Sequence, residues 1–392
     1  MTMTNSLSLS EKASAFQGIS YDWIQAGLQA IFLGGLFVDG WAHFHDKVDQ
    51  SFFTPWHAVF YGGFALCAGF LILTMILNRA RGYTGRATLP AGYDLTMLGA
   101  VIFAAGGVAD MAWHIAFGIE QAAEALLSPS HLLLAAGMFL MMSGPFRAAW
   151  NRRKTHAPYP AILSLTLTFT GLTFMTSYAN PLVDFYFNAT EMVTAILIHT
   201  ALMMGFILLA LRRWMLKPGS LTLIFTLNAA FMSVLQDRYD LIFTWLAAGI
   251  LADGLYFLLR PGVQSPARLR WFALIVPAIL FSLYFLTLYL THDLHWRIHV
   301  WGGGIVLAGV ELIGQQAALF LLTAQQAAQL RRVPTQIADA QERERFKIAQ
   351  ELHDTVQQFS VVDDGRGSSA EERAQAVERG SFGVTSIFMQ FL

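Results

Sequence analysis

Residues 55–78, Pro55-Trp-His-Ala-Val-Phe-Tyr-Gly-Gly-Phe-Ala-Leu-Cys-Ala-Gly-Phe-Leu-Ile-Leu-Thr-Met-Ile-Leu-Asn78, contain no Asp, Glu, Lys or Arg. A helix needs about 20 mostly apolar residues to cross the ~30 Å hydrocarbon core of a bilayer, so this stretch predicts a spanning helix. The pattern recurs along the chain. Of 392 residues, 55% are hydrophobic and 13% charged, against about 25% charged in soluble domains. These proportions exclude an ordinary soluble enzyme and predict an all-α polytopic membrane protein. Apolar runs at 22–42, 55–78, 93–117, 129–149, 160–179, 191–211, 219–236, 240–259, 271–291 and 298–325 predict about ten spans. The membrane domain is therefore expected over 22–325, after a tail at 1–21. That tail is polar, so no cleaved signal peptide is expected. The single cysteine, Cys67, lies in an apolar run and implies no disulfide framework.

The predicted loops alternate in charge. Arg79, Arg81 and Arg86, then Arg147, Arg152 and Lys154, then Arg212, Arg213 and Lys217, then Arg260, Arg268 and Arg270, and finally Arg331 and Arg332 fall on one side. The other side carries Asp46, Asp49, Glu120, Glu124, Asp184 and Glu191. The positive-inside rule puts the arginine side in the cytoplasm, and an even number of spans puts both termini there. With that topology, every histidine except His156 and His353 falls toward the outer face.

Those outer histidines include a repeat. Asp39-Gly-Trp-Ala-His43 ends the first predicted span and Thr54-Pro-Trp-His57 opens the second; Asp110-Met-Ala-Trp-His114 ends the third and Ser128-Pro-Ser-His131 opens the fourth. Asp and His four apart share a helix face, and proline fits a first helical turn, where its missing N–H costs nothing. If the two hairpins pack about a pseudo-twofold axis, Asp39, His43, His57, Asp110, His114 and His131 converge near the outer surface, with His199, His295 or His299 as additions. Imidazole with carboxylate suits zinc, copper or iron. In the alternative, the aspartates orient the imidazoles without binding metal, or the histidines cap helices at the interface. Asp253 and Glu311 fall within spans, as proton carriers or as interhelix hydrogen-bond partners.

Past the tenth span, Glu342-Arg-Glu-Arg-Phe-Lys-Ile-Ala-Gln-Glu-Leu-His-Asp-Thr-Val-Gln-Gln358 is charged and helical in pattern. Ile348, Leu352 and Val356 make an apolar stripe at spacing four. His353 lies about 100° off it, beside Asp354, as a candidate nucleophile with a carboxylate to take its proton. The stretch resembles the phospho-acceptor box of two-component sensor histidine kinases, in the subclass with a Glu-Leu-His-Asp core. The resemblance implies that His353 is phosphorylated, that Asp354 is its general base and that Gln358 positions water. It further implies a homodimer through this helix, a response regulator as partner and no direct contact with nucleic acid.

Asp363, Gly365 and Gly367 resemble the glycine box of the ATP-binding domain in the same kinases, and Gly380 and Gly383 the next glycine-rich element; ATP and Mg²⁺ are cofactors by this resemblance only. In the family a second dimerisation helix and an asparagine box separate the histidine from that aspartate, whereas here only Phe359–Val362 intervene. Residues 326–358 thus read as connector and His-box helix, and 359–392 as a remnant too short for an ATP-binding sandwich. The expected protein is a multi-pass sensor of the plasma (inner) membrane, catalytically incomplete, that detects a metal ion or small ligand at the outer site. An intramembrane metal-dependent hydrolase and an ion or metal transporter are the competing readings.

Overall fold

The computed structural model describes residues 17–47, 53–118, 126–152, 154–183, 188–262, 264–310 and 341–353. Twelve helices carry almost all of them: α1 (Ile19–Phe44), α2 (Pro55–Ala80), α3 (Asp94–Phe117), α4 (Pro129–Met142), α5 (Gly144–Asn151), α6 (Tyr159–Met175), α7 (Ala189–Arg213), α8 (Ser220–Val234), α9 (Asp240–Leu259), α10 (Pro266–Leu290), α11 (Ile298–Val310) and α12 (341–353). No strand occurs among the described residues. The protein is an all-α membrane protein.

Six helices are long and apolar enough to cross a bilayer: α2, α3, α4 with α5, α7, α9 and α10. A helix lies at each of the ten intervals expected from the sequence, but the other four fall outside this set for physical reasons. The first helix, α1, has the length, 26 residues, yet carries Asp22, Gln25, Gln29 and Asp39, all buried. At 17 and 15 residues, α6 and α8 reach only about 26 and 23 Å at 1.5 Å per residue. The last, α11, is described only to Val310.

Two hairpins, α1–α2 and α3–α4, open the chain. Thr54 and Ser128 cap the second helix of each, accepting from the His57 and His131 backbone N–H groups, with Pro55 and Pro129 in the first turn. Glycines let the helices of each pair touch at their backbones. A Cβ on Gly35 would lie 2.7 Å from the Phe60 Cα, and one on Gly63 2.6 Å from the Phe32 Cα. In the second hairpin, a Cβ on Gly137 would lie 2.6 Å from the Phe103 backbone nitrogen.

Helix α6 is the central post and packs against α1, α4, α5, α7 and α8. It is buried along most of its length, so its polar side chains are small and satisfied locally: Thr166 donates to the Ile162 carbonyl and Thr168 to the Ser164 carbonyl. Asn228 of α8 donates to Thr173 at 2.8 Å, tying the hairpin half to the half built from α7–α10. Trp245, Phe281 and Tyr284 fill that second half.

By its contacts the chain divides into two units, Met1–Ala318 and Leu319–Leu392. In the second unit α12 includes His353, and its described side chains, Ile348 and Leu352 included, are exposed. Asp354, Gln358, Asp363, Gly365, Gly367, Gly380, Gly383 and Glu311 lie outside the described residues.

Candidate metal centre

The caps and the glycine crossings fix where the repeated Asp and His side chains meet. Asp39 lies one turn beyond Gly35 on α1, and His57 one turn before Phe60 on α2. Their Oδ2 and Nε2 atoms are 3.6 Å apart, and His43 Nε2 is 3.9 Å from the same oxygen. In the second hairpin His114 and His131 present Nε2 at 3.6 and 3.5 Å from Asp110 Oδ1. The six residues expected to converge therefore form two triads, Asp39–His43–His57 and Asp110–His114–His131, each with its ligand atoms within 4.8 Å of one another.

Hydrogen bonds set the ring orientations in the second triad. His114 Nδ1 lies 3.2 Å from the Gly118 carbonyl. A carbonyl only accepts, so this nitrogen carries a hydrogen and donates it. His131 Nδ1 lies 2.6 Å from Ser128 Oγ, Ser128 Oγ 3.1 Å from Ser130 Oγ, and Ser130 donates to Asp110 Oδ1 at 3.0 Å. One direction satisfies the whole chain: His131 Nδ1–H to Ser128, Ser128 to Ser130, Ser130 to Asp110. Both Nδ1 atoms are thus engaged as donors, and the Nε2 atoms of His114 and His131 face one carboxylate oxygen. A bound cation, or a proton on Nε2, satisfies polar atoms that face one another in this way.

The spacing suits a metal. Bonds of about 2.0–2.1 Å in tetrahedral geometry put ligand atoms about 3.3 Å apart. The Asp110 edges need to shorten by about 0.2–0.3 Å and the Asp39 edges by about 0.3–0.6 Å. Two imidazoles and one carboxylate leave a coordination position open, as in catalytic zinc sites and the facial triads of non-haem iron. Backbone and hydroxyl groups behind the imidazoles are the usual orienting partners of such ligands.

The first triad lacks the serine relay, because Trp56 stands where Ser130 does. The indole instead donates to the Lys47 carbonyl at 3.1 Å. Asp39 is 8% exposed, and its Oδ1 has no hydrogen-bond partner among the described residues. A buried carboxylate oxygen left in this way fits a site completed by a cation.

Of the other histidines, His199 is fully buried against Phe169, Trp245 and Phe281. His295 lies against Trp296, and His299 joins neither triad. Asp253 is an interhelix partner: from α9 it accepts from the Leu221 and Thr222 backbone N–H groups and from the Thr222 hydroxyl, at 3.2, 2.9 and 2.6 Å. It thereby caps α8, whose own N-cap, Gly219, has no side chain to do so.

The sequence reading did not single out Asp22. Fully buried at the other end of α1, it accepts from Tyr93 at 2.9 Å and pairs with Arg152. Its signal is an acid in the first turn of a helix that must bury its polar face. The repeat also runs further than the Asp and His positions: Phe32 and Gly35 stand in the register of Phe103 and Gly106, and Gly63 in that of Gly137.

Fold and site together define a class: an all-α membrane protein with paired Asp-His-His triads at one end of two helical hairpins. No family model, curated protein or solved structure matches the chain.

Proposed function

We propose that the protein is a membrane sensor for a divalent transition metal, bound at the two triads, with a histidine-kinase-like output at His353. The carrying observation is the second triad's hydrogen-bond relay, which holds two imidazole Nε2 atoms against one carboxylate oxygen. Zinc, copper and iron all suit that donor set. The output side is supported by the exposed position of His353 on α12 and by the exposed Ile348 and Leu352, an apolar pair one turn apart that a second copy would cover.

In this reading ten helices cross the plasma membrane, the arginine-rich loops and both termini are cytoplasmic, and a response regulator meets His353. Only Phe359–Val362 separate the His-box helix from Asp363, too little for the second dimerisation helix and the asparagine box, so in this reading His353 is phosphorylated in trans by an intact relative. The hydrolase reading keeps one specific support, the coordination position left open in each triad, where a metal-bound water could sit.

Elemental analysis of the purified full chain after zinc loading and desalting tests the site. The wild type is expected to hold two zinc ions, one per triad, and the His57→Ala/His131→Ala double variant none. A wild type that retains no transition metal, or a double variant that retains as much, overturns the reading.

A further inference from the structure

A groove of about 680 Å³ runs along α2 and α3 beside the first triad. That volume lies within the roughly 300–1,000 Å³ of ordinary small-molecule sites. Phe64, Ala104, Val108 and Met111 line its length, and His57 and Tyr61 supply polar groups. Ala104 and Val108 are exposed, so the groove opens sideways rather than toward either end of the bundle.

The pseudo-symmetry of the hairpins shows that this opening is particular. The equivalent seam, between α1 and α4, is filled by α6, whose Gly171 faces Leu33, Met138 and Phe139. No described helix fills the seam between α2 and α3 in that way. Both helices are among the six able to cross a bilayer, and the bilayer-facing residues Val59, Leu66, Val101 and Ile115 flank the groove. An occupant that arrives there comes from the hydrocarbon phase, and a narrow apolar channel ending in an imidazole and a phenol matches one chain with one polar head.

The head has a preferred charge, on the reading that the first triad holds a metal. A divalent cation with one carboxylate and two neutral imidazoles keeps a net positive charge, and its open position takes an anionic oxygen. We infer that the α2–α3 groove binds a long-chain carboxylic acid that enters laterally from the membrane, its chain along Phe64, Ala104 and Val108 and its carboxylate beside His57. The outer site then reads two inputs together, a metal ion and a membrane-borne acid.

The test uses the zinc-loaded full chain in phosphatidylcholine vesicles with palmitic acid carrying a mid-chain diazirine, which reaches the level of Phe64 and Ala104 when the carboxylate is beside His57. Photolabelled residues are mapped by peptide mass spectrometry. Labelling at Phe64, Ala104 and Val108 is expected to exceed that at Ile250 and Leu286, exposed apolar residues on α9 and α10, by about tenfold. Unlabelled palmitate competes, whereas hexadecanol does not. Ala104→Trp, which fills the groove about two turns of α3 away from Asp110, is expected to abolish the excess while zinc content stays at the wild-type level.

Groove labelling no higher than at Ile250 and Leu286 overturns the inference, and equal competition by hexadecanol overturns the acidic head. The metal reading fails separately. A chain that holds no zinc yet shows the palmitate-specific excess refutes the metal and leaves the acid site standing. A chain that holds zinc and shows only bilayer-level labelling does the reverse.

Discussion

Replacing Gly35 by alanine adds one methyl group at one of the two backbone contacts of the α1–α2 crossing. The new Cβ would lie 2.7 Å from the Phe60 Cα and 3.0 Å from the Phe60 nitrogen and the Val59 oxygen, all backbone atoms that cannot swing away. Carbon atoms rest about 3.5–4.0 Å apart, so the helices must part by about 1 Å. Asp39 and His57 stand one turn from this point on the two helices, and their 3.6 Å separation would grow to about 4.5 Å, well past the ~3.3 Å edge of a tetrahedral site. Overpacking of this kind costs about 1–3 kcal/mol, equivalent to a roughly ten- to hundredfold weaker first site. The second triad sits in the other hairpin and keeps its ion. The assay is zinc stoichiometry and affinity by isothermal titration in detergent, with Gly34→Ala as the control, since a Cβ on Gly34 meets nothing within 4 Å. Gly35→Ala should bind one zinc at wild-type affinity and Gly34→Ala two. Two wild-type sites in Gly35→Ala would refute the claim that this crossing sets the triad.

Other variants probe other links. Ser130→Ala removes the donor to Asp110 and should weaken the second site about tenfold, the usual effect of losing an orienting partner, while the first site is unchanged in the same titration. Asp253→Ala strips three hydrogen bonds from the start of α8 and should lower stability by about 2–4 kcal/mol in thermal unfolding, with zinc content intact. The Asp237 carboxyl is held below the usual carboxylate range, chiefly by the Tyr239 hydroxyl and then by His45. Its contribution is therefore complete above the ordinary Asp pKa and is lost as pH falls through the lower folded value. Asp237→Asn should flatten that acid limb of the unfolding profile, and an unchanged acid limb would show that the contact is not felt.

Much of the site could be read from residue types alone. A Pro in the first turn after Thr54 or Ser128, with histidine two residues on, places an imidazole at a helix start, and Asp-x-x-x-His places a second beside a carboxylate on the facing helix. Periodicity cannot say how close two helices come. The glycine contacts that bring Asp39 to His57 are backbone against backbone, visible only once Phe32 and Phe60 are known to face Gly63 and Gly35. The pattern likewise placed six residues at one end of the two hairpins without saying how they group, and the fold gathers them as two triads. Asp253 left two roles open, and geometry chose the cap because Gly219 offers none. Asp22 escaped notice because its partners, Tyr93 and Arg152, are remote in sequence.

Zinc-edge X-ray absorption of the loaded full chain tests the central claim most directly. The account predicts a first shell of nitrogen and oxygen at about 2.0 Å, with the multiple-scattering signature of two imidazoles per zinc that disappears in His57→Ala/His131→Ala. A shell of oxygen alone, or a spectrum that the double variant leaves unchanged, would contradict it.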